Sequence, residues 1–292
     1  MEDSILRLAV KHGIQMQRIT STNELGLDFQ TAIGESVDGI KWILRIPRRE
    51  NMFSQIEKEK NNLNFLKSKI NFDIPDWKVV SPELVAYPLL TDKPALEVEA
   101  TKQEFIWNID LNFYKYSESL GLILCELHNL TQEAKEFGLS LRTSEIIRKD
   151  FLDEIFLIKN QLGISPHLEK QWRTWIDNDT YWPTFSTLIH GDLYAGHTLV
   201  NSEEQITGII DWSEMQIGDS SLDFAGQYTG LGETHLDKTL LVYEKSGGKT
   251  WPKMKEHIIQ RALAAPIKFA VFALNTKNDS HIQAAKEQLN SK

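Results

Sequence analysis

The sequence predicts an α+β chain in two lobes: a small antiparallel-sheet lobe over residues 1–90 and a larger, mainly helical lobe over residues 91–292. Three observations predict it. Alternating β-rich segments crowd into the first ninety residues, helical periodicity dominates afterwards, and one short β interruption breaks the helical part near residues 188–210. With 41% hydrophobic and 25% charged residues, the 292-residue chain has an ordinary globular composition. A net charge of −9 gives non-specific attraction to nucleic acid or an anionic membrane no electrostatic footing. Cys125 is the single cysteine, so no intrachain disulfide can form, which suits a reducing compartment. The opening MEDSILRLAVKHG has no apolar signal core, and no run approaches the roughly 18 apolar residues of a membrane span. The expectation is a soluble cytoplasmic monomer without nucleic-acid or membrane partners.

Taken in order, residues 4–18 place Ile5, Leu6, Leu8, Ala9 and Ile14 at helical intervals, and Asn23-Glu24-Leu25-Gly26 breaks the run. Phe29–Ile33 and Trp42–Ile46 read as a hairpin whose turn holds Gly34, Asp38 and Gly39, and Pro47 stops the second strand. Ile56, Leu63 and Leu66 predict an amphipathic helix of about three turns. Trp77–Val80 and Leu84–Tyr87 are two more strands around Ser81-Pro82. After Leu90 the pattern turns polar and then helical until residue 186, with 117–130 a buried helix and Trp172, Trp175 and Trp182 as packing residues. Leu188-Ile189, Thr198–Val200 and Ile206–Ile210 make the β interruption, and helices resume from about 220.

The polar residues at the ends of those short strands stand out. His190-Gly191-Asp192 closes one apolar strand, His197 follows five residues after Asp192, and Asp211 closes the strand after that. A polar group at a strand end is both rigidly supported and reachable. A lone Asp there is usually a turn or cap and a lone His a core residue. The conjunction is more specific.

On these residues the chain resembles the aminoglycoside and macrolide phosphotransferases, small-molecule kinases with a two-lobed, protein-kinase-like fold. Segments LGLDFQ, WILRIPRRE, IPDW, ELVAYPLL, HGDLYAGHTLV, GIIDWSE and Gly247 to Pro252 look like macrolide 2′-phosphotransferases in particular. The resemblance implies that Asp192 is the catalytic base, that His190 braces its loop, and that Asp211 holds magnesium. His197 stands where most of the superfamily has Asn, and the resemblance makes it the second metal ligand although Mg²⁺ prefers oxygen. By the same resemblance Arg45 takes the place of the strand Lys that grips phosphate, a change that keeps the charge and adds a bidentate fork. Period-two alternation makes Lys41 the second choice, and Glu59 is the pairing carboxylate unless its helix face is simply solvated. Gly34 is expected to help the hairpin cover the phosphates without a strict G-x-G-x-x-G. Tyr87-Pro88-Leu89 falls where the lobes join, so Tyr87 and Leu89 should read a purine, with GTP favoured and ATP the alternative. Asp219 and Asp223 resemble the family's Asp-x-x-x-Asp-Leu-Ala segment, Asp223 capping or tying the loop that carries Asp211.

A polycationic acceptor needs several carboxylates, yet the stretch from Trp251 to Asn278 has Glu256 as its sole acid. Tyr228, Trp251, Leu263, Pro266, Phe269, Phe272 and Leu274 are therefore candidates to surround the apolar ring of a macrolide, and core packing accounts for most of them equally well. Two rivals remain: a hydrolytic metal centre built from His190, Asp192, His197 and Asp211, and a kinase-like shell that binds without turnover. A choline, homoserine or sugar kinase is the nearest alternative acceptor assignment.

Overall fold

A computed structural model describes residues 2–23, 28–49, 51–99 and 104–290. In chain order its elements are α1 (Glu2–Lys11), β1 (Met16–Asn23), β2 (Phe29–Ser36), β3 (Lys41–Pro47), α2 (Phe53–Leu66), β4 (Val79–Val80), β5 (Val85–Pro88), β6 (Lys93–Pro94), β7 (Leu96–Glu99), β8 (Glu104–Trp107), α3 (Lys115–Asn129), α4 (Thr131–Phe137), α5 (Ser144–Gln161) and α6 (Pro166–Asp177). There follow β9 (Thr187–Ile189), β10 (Thr198–Val200), β11 (Ile206–Ile209), β12 (Gln216–Gly218), α7 (Ser221–Lys245), α8 (Met254–Leu263), α9 (Ala265–Thr276) and α10 (Asp279–Leu289). Two compact units result. The first joins Met1–Tyr116 to Ala195–Met215, and the second joins Ser117–Tyr194 to Gln216–Lys292.

The first unit carries an antiparallel sheet in the order β1-β2-β3-β5-β4. The predicted hairpin forms, with Glu35 opposite Lys41 and Gly39 at φ 83 in the turn. Gly34, expected in that turn, lies instead within β2 opposite Trp42. A Cβ there would sit 2.2 Å from the Met16 methyl and 2.8 Å from the Arg18 carbonyl, so the close approach of β1 requires its missing side chain. The opening helix is also shorter than predicted. Gly13 at φ 86 reverses the chain, and the β-branched Ile19, Thr20 and Thr22 continue as strand β1. Beyond Asn23, the predicted break and the Leu25–Leu27 part of LGLDFQ lie outside the described residues, as does Glu50.

Ile5 and Ala9 of α1 pack with Ala32, Leu44 and Ala86 of the sheet. β7 and β8 form a hairpin that the sequence reading missed. Leu96 and Val98 alternate with Glu97 and Glu99, a period-two signal too short to stand out against polar surroundings. β10 lies between β11 and β6, and Asp73 ties to β11 by donating to the Thr207 carbonyl and accepting from the Ile209 N–H.

In the second unit Trp172, Trp175 and Trp182 are packing residues, buried with Ile155, Ile267, Ala270, Ala273 and Leu289. Truncating a fully buried tryptophan such as Trp172 to Ala costs about 3–5 kcal/mol. β9 pairs with β12, a strand not foreseen, Ile189 lying opposite Gln216. The stretch 254–276 is long and apolar enough to cross a membrane. It is two helices, with Ile258 and Ile267 fully buried and Arg261 and Lys268 within it.

Candidate active site

The loop after β9 is held by its backbone. All of β9 is buried, and His190 is 0% exposed, whereas Asp192 at the loop's tip is exposed. Gly191 adopts φ 91, the left-handed region that a Cβ disfavours. The Asp192 N–H donates to His190 Nδ1 at 3.2 Å, so His190 does brace the loop. Asp223, in the first turn of α7, accepts from the His190 N–H at 2.8 Å and the Gly191 N–H at 2.9 Å. This corrects the expectation for Asp223: the backbone it ties is that of the loop carrying Asp192. It also meets His128 Nε2 at 3.2 Å. Gly226, one turn further along α7, lets the loop close in, since a Cβ there would come within 2.4 Å of the Leu193 carbonyl.

Asp211 and His197 belong to the first unit. Asp211 follows β11 at φ 66, a conformation Asp tolerates better than most residues. Its Oδ2 is 3.9 Å from His197 Nε2, and Ser213 Oγ donates to its Oδ1 at 3.1 Å. The Ile210 N–H donates to the His197 carbonyl, which fixes the two loops together. Helix α2 holds the next residue. Asn62 Nδ2 donates to the Trp212 carbonyl at 2.8 Å.

Glu59 also accepts from Arg45 at 2.9 Å, and both side chains are almost wholly buried. The predicted pair is therefore brought together and the solvated-face alternative is excluded. Burial opposes the Arg45 charge, but Glu59, Tyr87 and Asp211 outweigh it and hold the guanidinium protonated beyond its usual range. Arg45 also lies 4.3 Å over the Phe29 ring. Tyr87 is buried near the same charges, its phenol pushed upward mainly by desolvation. Lys41 is exposed at the start of β3. The Leu89 N–H donates to the Lys41 carbonyl at 2.8 Å, so that donor is engaged within the sheet.

Of the acceptor-pocket candidates, Phe269 and Leu274 pack against the tryptophan core, and Phe272 stacks on Phe269 and lies against His281. Trp251 donates to the Tyr181 carbonyl at 2.6 Å, and the Leu263 carbonyl accepts from Trp172. Core packing accounts for Phe269 and Leu274, whereas the Leu263 side chain is exposed. Pro266 sits in the first turn of α9, and Tyr228 is half-buried on α7 between the buried Gln227 and the exposed Thr229. Asp219 is tied into a buried cluster with His257 at 2.7 Å and Arg261 at 2.5 Å.

The sequence reading missed Asn62, His128 and Gly226. Asn62 carried a signal, being the residue one turn after Glu59 on a face otherwise occupied by Ile56, Leu63 and Leu66. Gly226 follows the Asp-Phe-Ala of its motif directly.

Among the described residues no three His, Cys, Asp or Glu side chains gather as a metal site. One carboxylate and one imidazole, Asp211 and His197, make an open donor set, which fits a hard cation that takes most of its ligands from phosphates and water. An exposed Asp192 on a braced loop in one unit, and a fixed guanidinium with an open acid–imidazole pair in the other, are groups able to accept a proton and to bind polyanionic oxygen.

A family model described as Phosphotransferase enzyme family (APH) matches residues 21–257. An uncharacterized protein of Bacillus subtilis (strain 168), YcbJ, is 37% identical over 270 residues, covering 91% of this chain and 88% of that protein. A macrolide 2′-phosphotransferase type I structure superposes with a TM-score of 0.93 at 35% identity, covering 99% of this chain and 97% of that one. The apoenzyme of macrolide 2′-phosphotransferase MphH from Brachybacterium faecium gives 0.89 at 32% identity, covering 99% and 98%.

Proposed function

The chain belongs to the phosphotransferase enzyme family, and from that membership we propose that it transfers the γ-phosphate of GTP to the 2′-hydroxyl of the desosamine sugar of macrolide antibiotics. The observation that carries the reading is its likeness, over nearly its whole length, to two macrolide 2′-phosphotransferases. The exposed Asp192 on its braced loop and the buried Arg45–Glu59 pair support it.

On this reading Asp192 accepts a hydrogen bond from the sugar hydroxyl and aims its oxygen in line with the γ-phosphorus. The new P–O bond forms as the bond to the β-phosphate oxygen breaks, GDP leaves, and the hydroxyl proton passes late to Asp192 and then to water. Arg45, locked by Glu59 and Phe29, offers a preorganised charge to the phosphate oxygens. Magnesium, held by Asp211 and His197, would neutralise the β- and γ-phosphate oxygens. The placing of a dianionic phosphate beside the desosamine amine inactivates the drug. The enzyme works as a cytoplasmic monomer.

The test is an acceptor panel: a desosamine-bearing macrolide, an aminoglycoside, choline, homoserine and a hexose, each with GTP and with ATP in Mg²⁺, read by phosphorus NMR. A phosphate monoester on the macrolide 2′-oxygen, formed faster with GTP, is the expected product. Phosphorylation of another acceptor, or hydrolysis of the macrolide, contradicts the reading.

A further inference from the structure

The carboxylate of Asp223 has a third hydrogen-bond partner that the mechanism does not use. His128, the penultimate residue of α3, reaches Asp223 Oδ2 through Nε2 at 3.2 Å, and its Nδ1 lies 2.9 Å from the Tyr243 hydroxyl. All three residues are at most 3% exposed. The chemistry assigns the protons. An ionised carboxylate can only accept, so Nε2 donates to Asp223, and a ring carrying that single proton leaves Nδ1 to accept from the Tyr243 hydroxyl. Burial above all, helped by the charge on Asp223, pushes the Tyr243 phenol upward and keeps that donor protonated.

The rings are fixed from several sides. Phe224 lies edge-on to both His128 and Tyr243, and Gly248 allows the chain to pass under the Tyr243 ring, where a Cβ would meet it at 2.4 Å. Thr131, at the start of α4, donates to the His128 carbonyl and accepts from the Leu188 N–H of β9. The end of α3 is thereby joined both to the strand that enters the loop and to the acid that holds it.

We propose that His128 and Tyr243 are positioning residues for the phosphoryl-transfer loop: a hydrogen-bond chain of fixed direction from Tyr243 through His128 locks the rotamer of Asp223, and Asp223 in turn sets the backbone that aims Asp192. The proposal rests on the reading of Asp192 as the base. Without the chain, Asp223 keeps its charge but loses the contact that selects one orientation, and His190 and Gly191 lose well-aligned acceptors. Misplacement of a reacting group by about 1 Å can cost on the order of 10²-fold in rate.

The test compares His128→Leu, His128→Gln, Tyr243→Phe and the double variant His128→Leu/Tyr243→Phe with the parent, Asp192→Asn serving as control. Steady-state kinetics with GTP and macrolide are joined to hydrogen exchange over the segment 187–194. His128→Leu should lower kcat by roughly 10- to 100-fold with both KM values nearly unchanged, and speed exchange in 187–194. His128→Gln, which can restore a donor to Asp223, should recover most of both. Tyr243→Phe should have a smaller effect that disappears in the His128→Leu background. Unchanged kcat and exchange in both His128→Leu and Tyr243→Phe would overturn the proposal while a dead Asp192→Asn left the functional reading standing. An active Asp192→Asn would instead remove that reading, and with it this proposal.

Discussion

The side-chain amide of Asn62 donates to the backbone carbonyl of Trp212 at 2.8 Å, joining helix α2 to the residue that follows Asp211. Glu59, three residues earlier on the same face, is held by Arg45, so one turn of helix carries both that ion pair and the contact to Trp212. Asp211, at φ 66, directly precedes that residue. Replacing Asn62 with Leu removes the shorter of two hydrogen bonds to the buried Trp212 carbonyl and leaves it the longer one from the Met215 N–H at 3.4 Å, at a cost of about 0.5–1.5 kcal/mol. The expected outcome in a Mg²⁺ titration of turnover is apparent affinity weakened by about 10-fold, as for other residues that orient a metal-binding group.

Arg45 and Glu59 are a buried ion pair, so the two ways of removing its charge differ sharply. Arg45→Ala strands Glu59 and should destabilise the protein by about 3–5 kcal/mol in a urea melt. Arg45→Lys keeps the charge while losing the guanidinium placed over the Phe29 ring, and should fold well with KM for GTP raised several-fold. A fully stable Arg45→Ala variant would show that the pair is not the fixed element assumed here.

Gly226 admits the loop carrying Asp192 because it lacks a side chain. Gly226→Ala forces either α7 or the Leu193 carbonyl to shift, and the obstacle is backbone, which does not yield easily. A loss of about 1–3 kcal/mol in stability is expected, with kcat falling while KM for GTP stays near its parent value.

His257 accepts from Trp175 Nε1 at 2.9 Å through Nδ1, so its single proton sits on Nε2 and points to Asp219. Burial lowers its pKa below 6.5, although Asp219 pulls the other way. The unfolded chain therefore binds this proton more readily than the folded one. The contribution is complete above about pH 6.5 and is lost as pH falls through the folded value. Asp219, whose pKa is driven far down by Arg261 and His257 against the penalty of burial, adds stability that is complete above about 3.8 and lost only in stronger acid. Urea melts from about pH 8 to pH 5 should show a falling midpoint, and His257→Gln should flatten the upper part of that fall.

The hairpin of β2 and β3, the buried α3 and the tryptophan layer were legible because each rests on a local period or on turn chemistry. What escaped were features that depend on a partner distant in sequence. Gly34 looks like a turn glycine until β1 is seen packed against it, and β12 is three residues long, visible only as the mate of β9. The same holds at the site. Asp192, Asp211, Arg45 and Glu59 carry charges at patterned positions, whereas Asn62, His128 and Gly226 acquire meaning from the backbone groups they meet. The direction in which Asp223 works was misread for that reason, since spacing alone does not tell which of two loops a helical acid will face.

The central claim is that Asp192 takes the proton of the acceptor hydroxyl as the γ-phosphate moves. The most direct measurement is a single-turnover reaction of Asp192→Asn with radiolabelled GTP and macrolide, beside the parent enzyme, with both proteins shown to be folded and to bind GTP equally. The account predicts transfer slowed by on the order of 10²-fold or more with GTP affinity retained. Transfer to the macrolide at the parent rate would contradict it.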